Sequence, residues 1–268
     1  MRECATALSH FRASALSYRA GPFTPARRVL PVFSESAALY DLIYSGFKDY
    51  PAEARRLAEL IARERPGART VLDVACGTAE HARLLTAEHG YQVDGLDLEP
   101  DFVRIAERKL PPGRVHAGDM TSFELPGRYD AVLCLFSSIG YVRTLKNLRR
   151  AFERFRAHLA EGGVVLVEPW FPPEAIIPGR IGLDTAETEG LKVCRMARVE
   201  VEGRLSRLHF HYLLGRATGI EHLTEVHELG LFTVAETLEA FEQAGLPARY
   251  EAEGPSGRGL YVARVNPA

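Results

Sequence analysis

Acidic residues and glycines recur where predicted strands end in the first half of this 268-residue chain. Gly77 closes the segment from Leu72 to Thr78, where the lack of a Cβ lets the backbone approach a ligand. Asp97 ends the next strand, where a carboxylate can accept hydrogen bonds from both hydroxyls of a ribose. Asp119 follows a third strand and can accept a hydrogen bond from the amino group of adenine. The pattern predicts a nucleoside site, although each motif alone also suits an ordinary turn.

The turn after the first strand separates two classes of cofactor. Nicotinamide dinucleotides require G-x-G-x-x-G, whose glycines cradle a pyrophosphate. Here Gly77 is followed by Thr78, Ala79 and Glu80, so the later glycines are missing. Glu80 would also place negative charge at the helix N-terminus where a pyrophosphate would lie. The turn therefore favours a cofactor without phosphate, and Asp73 can either orient the turn or accept the ammonium group of a ligand.

The elements that must position these residues alternate between strand and helix. Apolar segments beginning at Thr70, Gln92, Val115, Tyr129 and Val164 predict five strands with helices between them. This alternation is typical of βαβ units, and continuous apolar runs are typical of strands buried on both faces. We therefore predict an α/β fold with a doubly wound, mostly parallel sheet that binds its ligand at the carboxyl ends of the strands.

The pattern changes beyond Trp170. Long alternating segments predict antiparallel strands, the first two joined by a turn at Glu202-Gly203. A helix and a strand over residues 260–264 then return the chain to the main sheet. We predict one catalytic domain over residues 32–268, with an antiparallel β-rich insertion at about 171–232.

Residues 1–31 differ in composition from the rest of the chain. They are rich in arginine and contain a single acid, Glu3. Such a composition is typical of a transit peptide, but a poorly ordered extension or a start codon placed too far upstream produces it as well. We predict a disordered extension outside the fold.

Charge and cysteine usage exclude several classes of partner. A net charge of −2 gives no reason to expect nucleic-acid or anionic-membrane binding. The four cysteines are scattered without metal-ligand spacing, which predicts no metal site and suits a reducing cytoplasm. No apolar run approaches the roughly 18 residues that span a bilayer.

The strand-end motifs, in their order and spacing, resemble the class I S-adenosylmethionine (SAM) methyltransferases over roughly residues 70–168. Ala79 stands where many members of that class have a second glycine. The resemblance implies SAM as the cofactor and a Rossmann-like fold. The cofactor-binding positions that it indicates are Tyr50, Asp73, Ala75, Gly77, Thr78, Asp97, Leu98, Asp119, Met120 and Phe136.

Further motifs narrow this resemblance. They are the segments Tyr40 to Tyr44, Lys48 to Tyr50, Phe136 to Tyr141, Glu168 to Trp170 and Gly254 to Leu260. Together they are similar to the N,N-dimethyltransferases of TDP-linked 3-amino sugars, of the desosamine and mycaminose type. The resemblance runs from about residue 33 to 262 and implies two successive methyl transfers to a sugar amine. Such SN2 transfer depends mainly on positioning and desolvation.

The resemblance also suggests roles for particular side chains. Tyr44 and Tyr141 would face the amine as catalytic residues, and Tyr50 would bond the methionine carboxylate of SAM. Arg258, between two glycines, suits a phosphate contact, because its planar guanidinium matches two phosphate oxygens. The substrate-binding candidates are Ser138, Glu168, Trp170, Arg207, His209, His211 and Arg258. Packed aromatics, a solvated loop arginine and the wet side of a sheet are the structural alternatives for these residues.

Three other functions stay open at this point. The chain could methylate a different small molecule, retain the fold as a non-catalytic interaction module, or bind a nicotinamide cofactor. The intact Asp97 and Asp119 argue against loss of the cofactor site. The expected partners are SAM and a nucleotide-linked amino sugar, without nucleic acid or membrane, in a cytoplasmic protein. The resemblance also suggests a homodimer.

Overall fold

A computed structural model describes residues 27–29, 33 and 36–265, which form two β-sheets with helices packed around them. The strands are β1 (Arg27–Val29), β2 (Thr70–Val74), β3 (Gln92–Asp97), β4 (Val115–Ala117), β5 (Tyr129–Cys134), β6 (Leu159–Val167), β7 (Ile181–Thr188), β8 (Leu191–Glu202), β9 (Leu205–Arg216), β10 (Gly219–Gly230), β11 (Ala248–Glu251) and β12 (Leu260–Arg264). The α-helices are α1 (Ala37–Tyr44), α2 (Tyr50–Glu64), α3 (Glu80–His89), α4 (Pro100–Ala106), α5 (Leu145–Ala157) and α6 (Val234–Gln243). Short 3₁₀ helices span Ser138–Val142 and Pro173–Ala175.

The main sheet has seven strands in the order β11–β12–β6–β5–β2–β3–β4. The strands from β6 to β4 run parallel, while β12 is antiparallel to β6 and β11 is antiparallel to β12. The strand order reverses between β2 and β5, which places a ligand site at their carboxyl ends. The predicted doubly wound, mostly parallel sheet is therefore confirmed.

Helices cover both faces of this sheet. Successive residues of a strand point to opposite sides, and because these strands are apolar throughout, both faces must be buried. On one face, Leu57 of α2 and Leu85 of α3 are fully buried against the strands. On the other face, Phe152 of α5 and Phe241 of α6 stack with ring centroids 3.6 Å apart. The central strands are thus packed on both faces, and they hold the ends of the loops at the carboxyl edge in place.

Strand β6 begins earlier than the sequence pattern predicts. It starts at Leu159, which pairs with Tyr129, whereas the prediction placed its start at Val164. The register shifts between Tyr129 and Ala131, and Gly163 lies at this irregularity, where a Cβ would come 2.9 Å from the carbonyl oxygen of Ala160. Gly162 and Gly163 therefore lie at an irregularity inside the strand and not before it.

The second sheet has five strands in the order β1–β10–β9–β8–β7. Strands β7 to β10 form an antiparallel meander, and the turn after Glu202 lies where the sequence predicts it. Its inner face packs against α1 through a cluster that includes Ile43, Phe210 and Tyr212. Strand β1, within the predicted N-terminal extension, pairs in parallel with β10, and residues 1–26 lie outside the described part of the chain. The predicted bounds of the domain and of its insertion remain predictions.

No helix among the described residues is long and apolar enough to cross a membrane. Cys76, Cys134 and Cys194 are free thiols, while Cys4 lies outside the described residues. A cytoplasmic location stays a prediction from the cysteine pattern.

Candidate active site

A cavity of about 740 Å³ lies at the carboxyl edge of the main sheet, between α1 and the inner face of the second sheet. Twelve of the predicted site residues line it. They are Tyr44, Ala75, Gly77, Asp97, Leu98, Asp119, Met120, Phe136, Ser138, Tyr141, Trp170 and Arg258. Residues from distant parts of the sequence therefore converge on one space, as the order of the strands requires.

The turn between β2 and α3 is tied directly to the end of β3. The N–H of Gly77 donates to Asp97 Oδ2 at 2.7 Å, and the N–H of Glu99 donates to Oδ1 at 2.9 Å. Ala75, Gly77 and Ala79 all have φ near +60°, which gives the turn its tight course. Burial raises the pKa of Asp97, although these N–H donors favour its charged form. The carboxylate is thus held in one orientation at the floor of the cavity.

Beside Asp97, apolar side chains face the cavity. Leu98 is 64% exposed, which is unusual for a leucine next to a buried strand, and Met120 lies on the same wall. Asp119 Oδ1 accepts hydrogen bonds from the N–H and the hydroxyl of Thr121, at 2.7 and 2.8 Å. An exposed apolar surface between two fixed carboxylates suits a flat heterocycle with polar edges.

Tyr50, Asp73 and Thr78 line a recess of about 30 Å³ that shares Ala75 and Gly77 with the large cavity. Asp73 is 2% exposed, and burial raises its pKa to about 7. A carboxyl in such surroundings favours the arrival of a cationic partner, because a nearby positive charge stabilises its ionised form.

Lys48 is a residue of this recess that the sequence prediction missed. Its Nζ lies 2.7 Å from Glu53 Oε2 and 3.9 Å from the centre of the Phe136 ring. Burial lowers the pKa of Lys48, while the hydrogen bond to Glu53 acts in the opposite direction. The segment from Lys48 to Tyr50 is part of a family motif, but only the fold shows that the lysine side chain is 4% exposed beside Phe136.

Glu168 does not line the cavity but joins two segments that do. One of its oxygens accepts from the N–H of Phe136 at 2.9 Å, and the other accepts from the N–H and hydroxyl of Ser256 at 3.0 and 2.7 Å. The residue is 1% exposed. It therefore clamps the end of β5 to the loop that carries Arg258.

Arg258 points its guanidinium into the cavity from the loop between β11 and β12. Its Nη1 donates to Ser137 Oγ at 3.0 Å, and its guanidinium carbon lies 4.4 Å from the centre of the Phe136 ring. No carboxylate among the described residues lies within 4 Å of it, so its ion-pairing capacity is unused there. Burial lowers its pKa, which reflects the cost of holding this cation away from water without an anion.

The structure does not bring Arg207, His209 and His211 to the cavity. They share one face of β9, as the alternation predicts, but Leu208, Phe210 and Tyr212 on the other face line the cavity. The first three pair instead with neighbours on the outer face of the second sheet. Their partners are Glu228 for Arg207 at 2.8 Å, Glu200 for His209 at 2.8 Å, and His222 for His211 at 3.0 Å.

Comparison with known proteins decides the family. The family described as "Methyltransferase domain" matches residues 71–163. The dTDP-3-amino-3,6-dideoxy-alpha-D-glucopyranose N,N-dimethyltransferase of Streptomyces fradiae is 45% identical over 230 residues, which are 85% of this chain and 90% of that protein. The chain belongs to the family of SAM-dependent amino-sugar N,N-dimethyltransferases.

Solved structures of similar proteins share the fold over most of this chain. Streptomyces venezuelae DesVI is 41% identical with a TM-score of 0.81, and the match covers 87% of this chain and 99% of that one. SAM-bound CalS10, an amino pentose methyltransferase from Micromonospora echinaspora, is 38% identical with a TM-score of 0.78, over 85% of this chain and 97% of that one. The predicted enzyme class and cofactor are thus confirmed: the protein is a methyltransferase that uses SAM.

The site also contains an arginine that the sequence prediction missed. Arg195 of β8 is 6% exposed, and its Nη2 donates to Asp184 Oδ2 at 2.7 Å. Its guanidinium carbon lies 4.8 Å from the ring centre of Tyr44 and 5.0 Å from that of Phe210. The sequence shows a charged residue within a predicted strand. Only the pairing of Arg195 with Tyr212 shows that this residue lies on the inner face of the sheet.

Aromatic rings form much of the wall of the methyltransferase cavity. Tyr40 and Tyr44 lie with ring centroids 4.2 Å apart, and Phe102 lies 5.1 Å from Tyr40. Ring faces attract cations such as a sulfonium, and their bulk keeps water out. The carboxylates, the exposed Leu98 and these rings together fit SAM, which has a ribose, an adenine and a positively charged sulfur.

Proposed function

We propose that this enzyme transfers methyl groups from SAM to the amino group of a dTDP-linked amino sugar. The observation that carries the proposal is Arg258, a half-buried guanidinium that faces the cavity without a carboxylate partner among the described residues. A sugar nucleotide would supply that partner through its diphosphate. Two relatives that are 45% and 41% identical are named for dTDP-linked amino-sugar substrates, which supports the same class of acceptor.

The cofactor would lie across the carboxyl ends of β2 and β3. Asp97 would accept hydrogen bonds from the ribose hydroxyls, and Leu98 and Met120 would pack on the adenine, with Asp119 at its amino group. In the small recess, Asp73 would accept the ammonium of the methionine part. Tyr50 would bond the carboxylate, and Lys48 beside it, which is missing from the sequence prediction, adds a nearby positive charge.

Catalysis by this chain would depend mainly on placement and desolvation. SAM supplies a methyl group that is electrophilic because its sulfur is positively charged. The acceptor amine must be neutral, since its lone pair forms the new N–C bond in line with the C–S bond that breaks. Tyr44 and Tyr141 would accept hydrogen bonds from the amine N–H groups and so aim that lone pair. The surrounding rings would exclude water from the line of attack.

The acceptor would lie between the cofactor and the second sheet. Arg258 can donate two parallel hydrogen bonds to phosphate oxygens, and its stacking on Phe136 restricts its rotamers. Trp170 and Ser138 line the cavity with it and would contact the nucleotide or the sugar. Glu168 would act indirectly, by holding the Arg258 loop.

The test is a methylation assay with dTDP-amino sugars, combined with the Arg258→Ala variant. Loss of about 2–3 kcal/mol of charge-assisted bonding should raise the sugar-nucleotide KM by roughly 30-fold or more. The affinity for SAM should stay the same because SAM carries no phosphate. Arg258→Lys should restore only part of the loss, since an ammonium lacks the forked geometry.

Arg198→Ala is the matched control, because Arg198 lies on the outer face of the second sheet and is not a cavity residue. An unchanged KM in Arg258→Ala would reject the diphosphate contact. Absence of turnover with every dTDP-amino sugar would favour the alternative, a methyltransferase for another small molecule. Association into a homodimer stays a prediction.

A further inference from the structure

A chain of three polar side chains runs from the cavity into the second sheet. Tyr141, in the 3₁₀ helix after β5, has its hydroxyl 2.7 Å from Nδ1 of His227 on β10. The other ring nitrogen of His227, Nε2, lies 3.2 Å from Oε2 of Glu225. Tyr141 and His227 line the cavity, whereas Glu225 lies behind them. The sequence pattern does not predict that Tyr141, His227 and Glu225 contact one another.

This chain is fixed in place by burial and by aromatic neighbours. The side chains of His227 and Glu225 are 3% and 0% exposed. The His227 ring meets Phe33 and Phe210 edge to face, with centroids 4.6 and 4.8 Å away. Such packing leaves the imidazole a single orientation, with its two nitrogens directed at Tyr141 and Glu225.

Glu225 fixes which nitrogen of His227 carries the proton. Its Oε2 also accepts from the hydroxyl of Ser36 at 2.9 Å, and its Oε1 has no hydrogen-bond partner among the described residues. Because Oε2 already acts as an acceptor toward Ser36, it offers lone pairs to His227, and this arrangement favours Nε2 as the donor. Nδ1 then carries no proton, and its lone pair accepts a hydrogen bond from the hydroxyl of Tyr141.

The hydroxyl of Tyr141 is therefore oriented with its proton turned away from the cavity. Burial raises the pKa of Tyr141 well above its ordinary value, so the phenol keeps that proton at neutral pH. Tyr141 lines the cavity, so a remaining lone pair of its oxygen is available to a ligand there. A hydrogen bond from an N–H group of a ligand is what such an oxygen can accept.

We propose that His227 and Glu225 are positioning residues, which hold Tyr141 as an acceptor for the substrate amine and take up the proton that methylation releases. This inference rests on the proposed function, because it requires an amine as the methyl acceptor. A dimethyltransferase has a particular need for it. After the first transfer the nitrogen is an ammonium, and it must lose a proton before its lone pair can attack again.

The proton balance is simple. The amine lone pair forms the N–C bond as the C–S bond breaks, and the product nitrogen carries a positive charge. The ammonium then gives one proton to the Tyr141 oxygen while the original hydroxyl proton moves to Nδ1 of His227. The amine becomes neutral and His227 becomes an imidazolium, which the carboxylate of Glu225 stabilises. No other reactant is required.

The first experiment measures the tautomer of His227 directly and does not depend on turnover. In ¹⁵N-labelled wild-type protein, long-range ¹H–¹⁵N spectra distinguish a protonated Nε2 from a protonated Nδ1. The imidazole signals that disappear in His227→Phe are those of His227. His227→Gln replaces His227→Phe for this assignment if His227→Phe fails to fold. We expect protonation at Nε2. Protonation at Nδ1 would make His227 the donor to Tyr141 and would overturn the proposal.

The second experiment is a double-mutant cycle on Tyr141→Phe and His227→Phe, with a dTDP-amino sugar as substrate. Acid–base assistance typically contributes about 10²–10⁴-fold, and solvent can replace part of it, so His227→Phe should lower kcat by about tenfold or more. The sugar-nucleotide KM should change by less than about threefold, and monomethyl product should accumulate. In the Tyr141→Phe background the same change should cost less than about twofold, because the two residues act as a unit.

His222→Phe is the matched control, since His222 lies on the same strand but on the outer face of the sheet, against His211. Equal losses in both Tyr141 backgrounds, or an unchanged ratio of mono- to dimethyl product, would reduce His227 to a packing residue. If the wild type methylates no amino sugar, the proposed function fails while the tautomer measurement still decides whether Tyr141 is an acceptor.

Discussion

The pKa of one buried carboxyl, Asp73, links protein stability to cofactor binding. Its ordinary pKa of 3.8 is raised to about 7, mainly by burial, with Asp97 adding a smaller increase and His81 opposing it. The folded protein thus holds this proton more tightly than the unfolded chain. Ionising Asp73 therefore lowers the free energy of unfolding as the pH rises from about 4 to about 7. A ligand ammonium in the recess would offset that cost.

We expect the affinity for SAM to fall about tenfold between about pH 8 and about pH 6, because protonated Asp73 no longer attracts an ammonium. Titration calorimetry at several pH values measures this. Asp73→Asn should bind SAM weakly throughout and lose most of the pH dependence. Glu59→Gln, which changes an exposed carboxylate of α2, should behave as the wild type does. The same pH slope in Asp73→Asn and wild type would assign the effect to another group.

At the scale of an element, the loop between β11 and β12 depends on close backbone contacts. A Cβ on Gly254 would lie 2.2 Å from the carbonyl oxygen of Gly259. Gly259 itself has φ +85°, and a Cβ there would come 2.3 Å from the hydroxyl oxygen of Tyr250. Glu168 then holds Ser256 from the other side. Only glycine at these two positions lets the loop fold back and present Arg258.

Gly254→Ala should therefore displace the Arg258 loop while leaving the main sheet intact. We expect the sugar-nucleotide KM to rise by at least about tenfold, toward the value of Arg258→Ala, because one charge-assisted contact is misplaced. Steady-state kinetics and calorimetry with SAM separate this from a loss of cofactor binding, which should change little. Glu253→Ala, an exposed neighbour, is the control. A normal KM in Gly254→Ala would mean that the loop tolerates the displacement.

Strand elements differ in how well sequence patterns predict their contribution to the site. Strands β2 to β5 and their polar ends were predictable because parallel strands of a βαβ unit place those ends on one edge. Arg207, His209 and His211 on β9 are predicted to share a face of the sheet, and they do. The alternation alone cannot tell whether that face meets the cavity or the solvent. His211 pairs with Met196, and Met196 pairs with Leu183. Because Leu183 and Met196 are exposed, these three residues of β9 lie on the outer face of the second sheet. Arg195, one register away, is on the inner face for the same reason.

At the scale of the whole molecule, the site exists only where the two sheets meet. Gly140, in the 3₁₀ helix after β5, marks one such contact. A Cβ on Gly140 would lie 3.0 Å from Cδ2 of Leu229 on β10 and 3.1 Å from Cβ of Trp170. The absence of a side chain thus sets the spacing between the second sheet and the edge of the first. Tyr141, the next residue, reaches His227 across this contact.

Gly140→Ala should push the two sheets apart by a few tenths of an ångström. Overpacking of this kind typically costs about 1–3 kcal/mol of unfolding free energy, which denaturant titration can measure. We expect kcat to fall and the sugar-nucleotide KM to rise, because Tyr141 and Arg258 face a substrate held between the sheets. The affinity for SAM should change less, since Gly77 and Asp97 both lie at the edge of the main sheet. Gly182→Ala is the control, because its Cβ would meet Ala197 at an ordinary 3.8 Å. Identical stability and kinetics in the two variants would show that the contact at Gly140 does not set the geometry of the site.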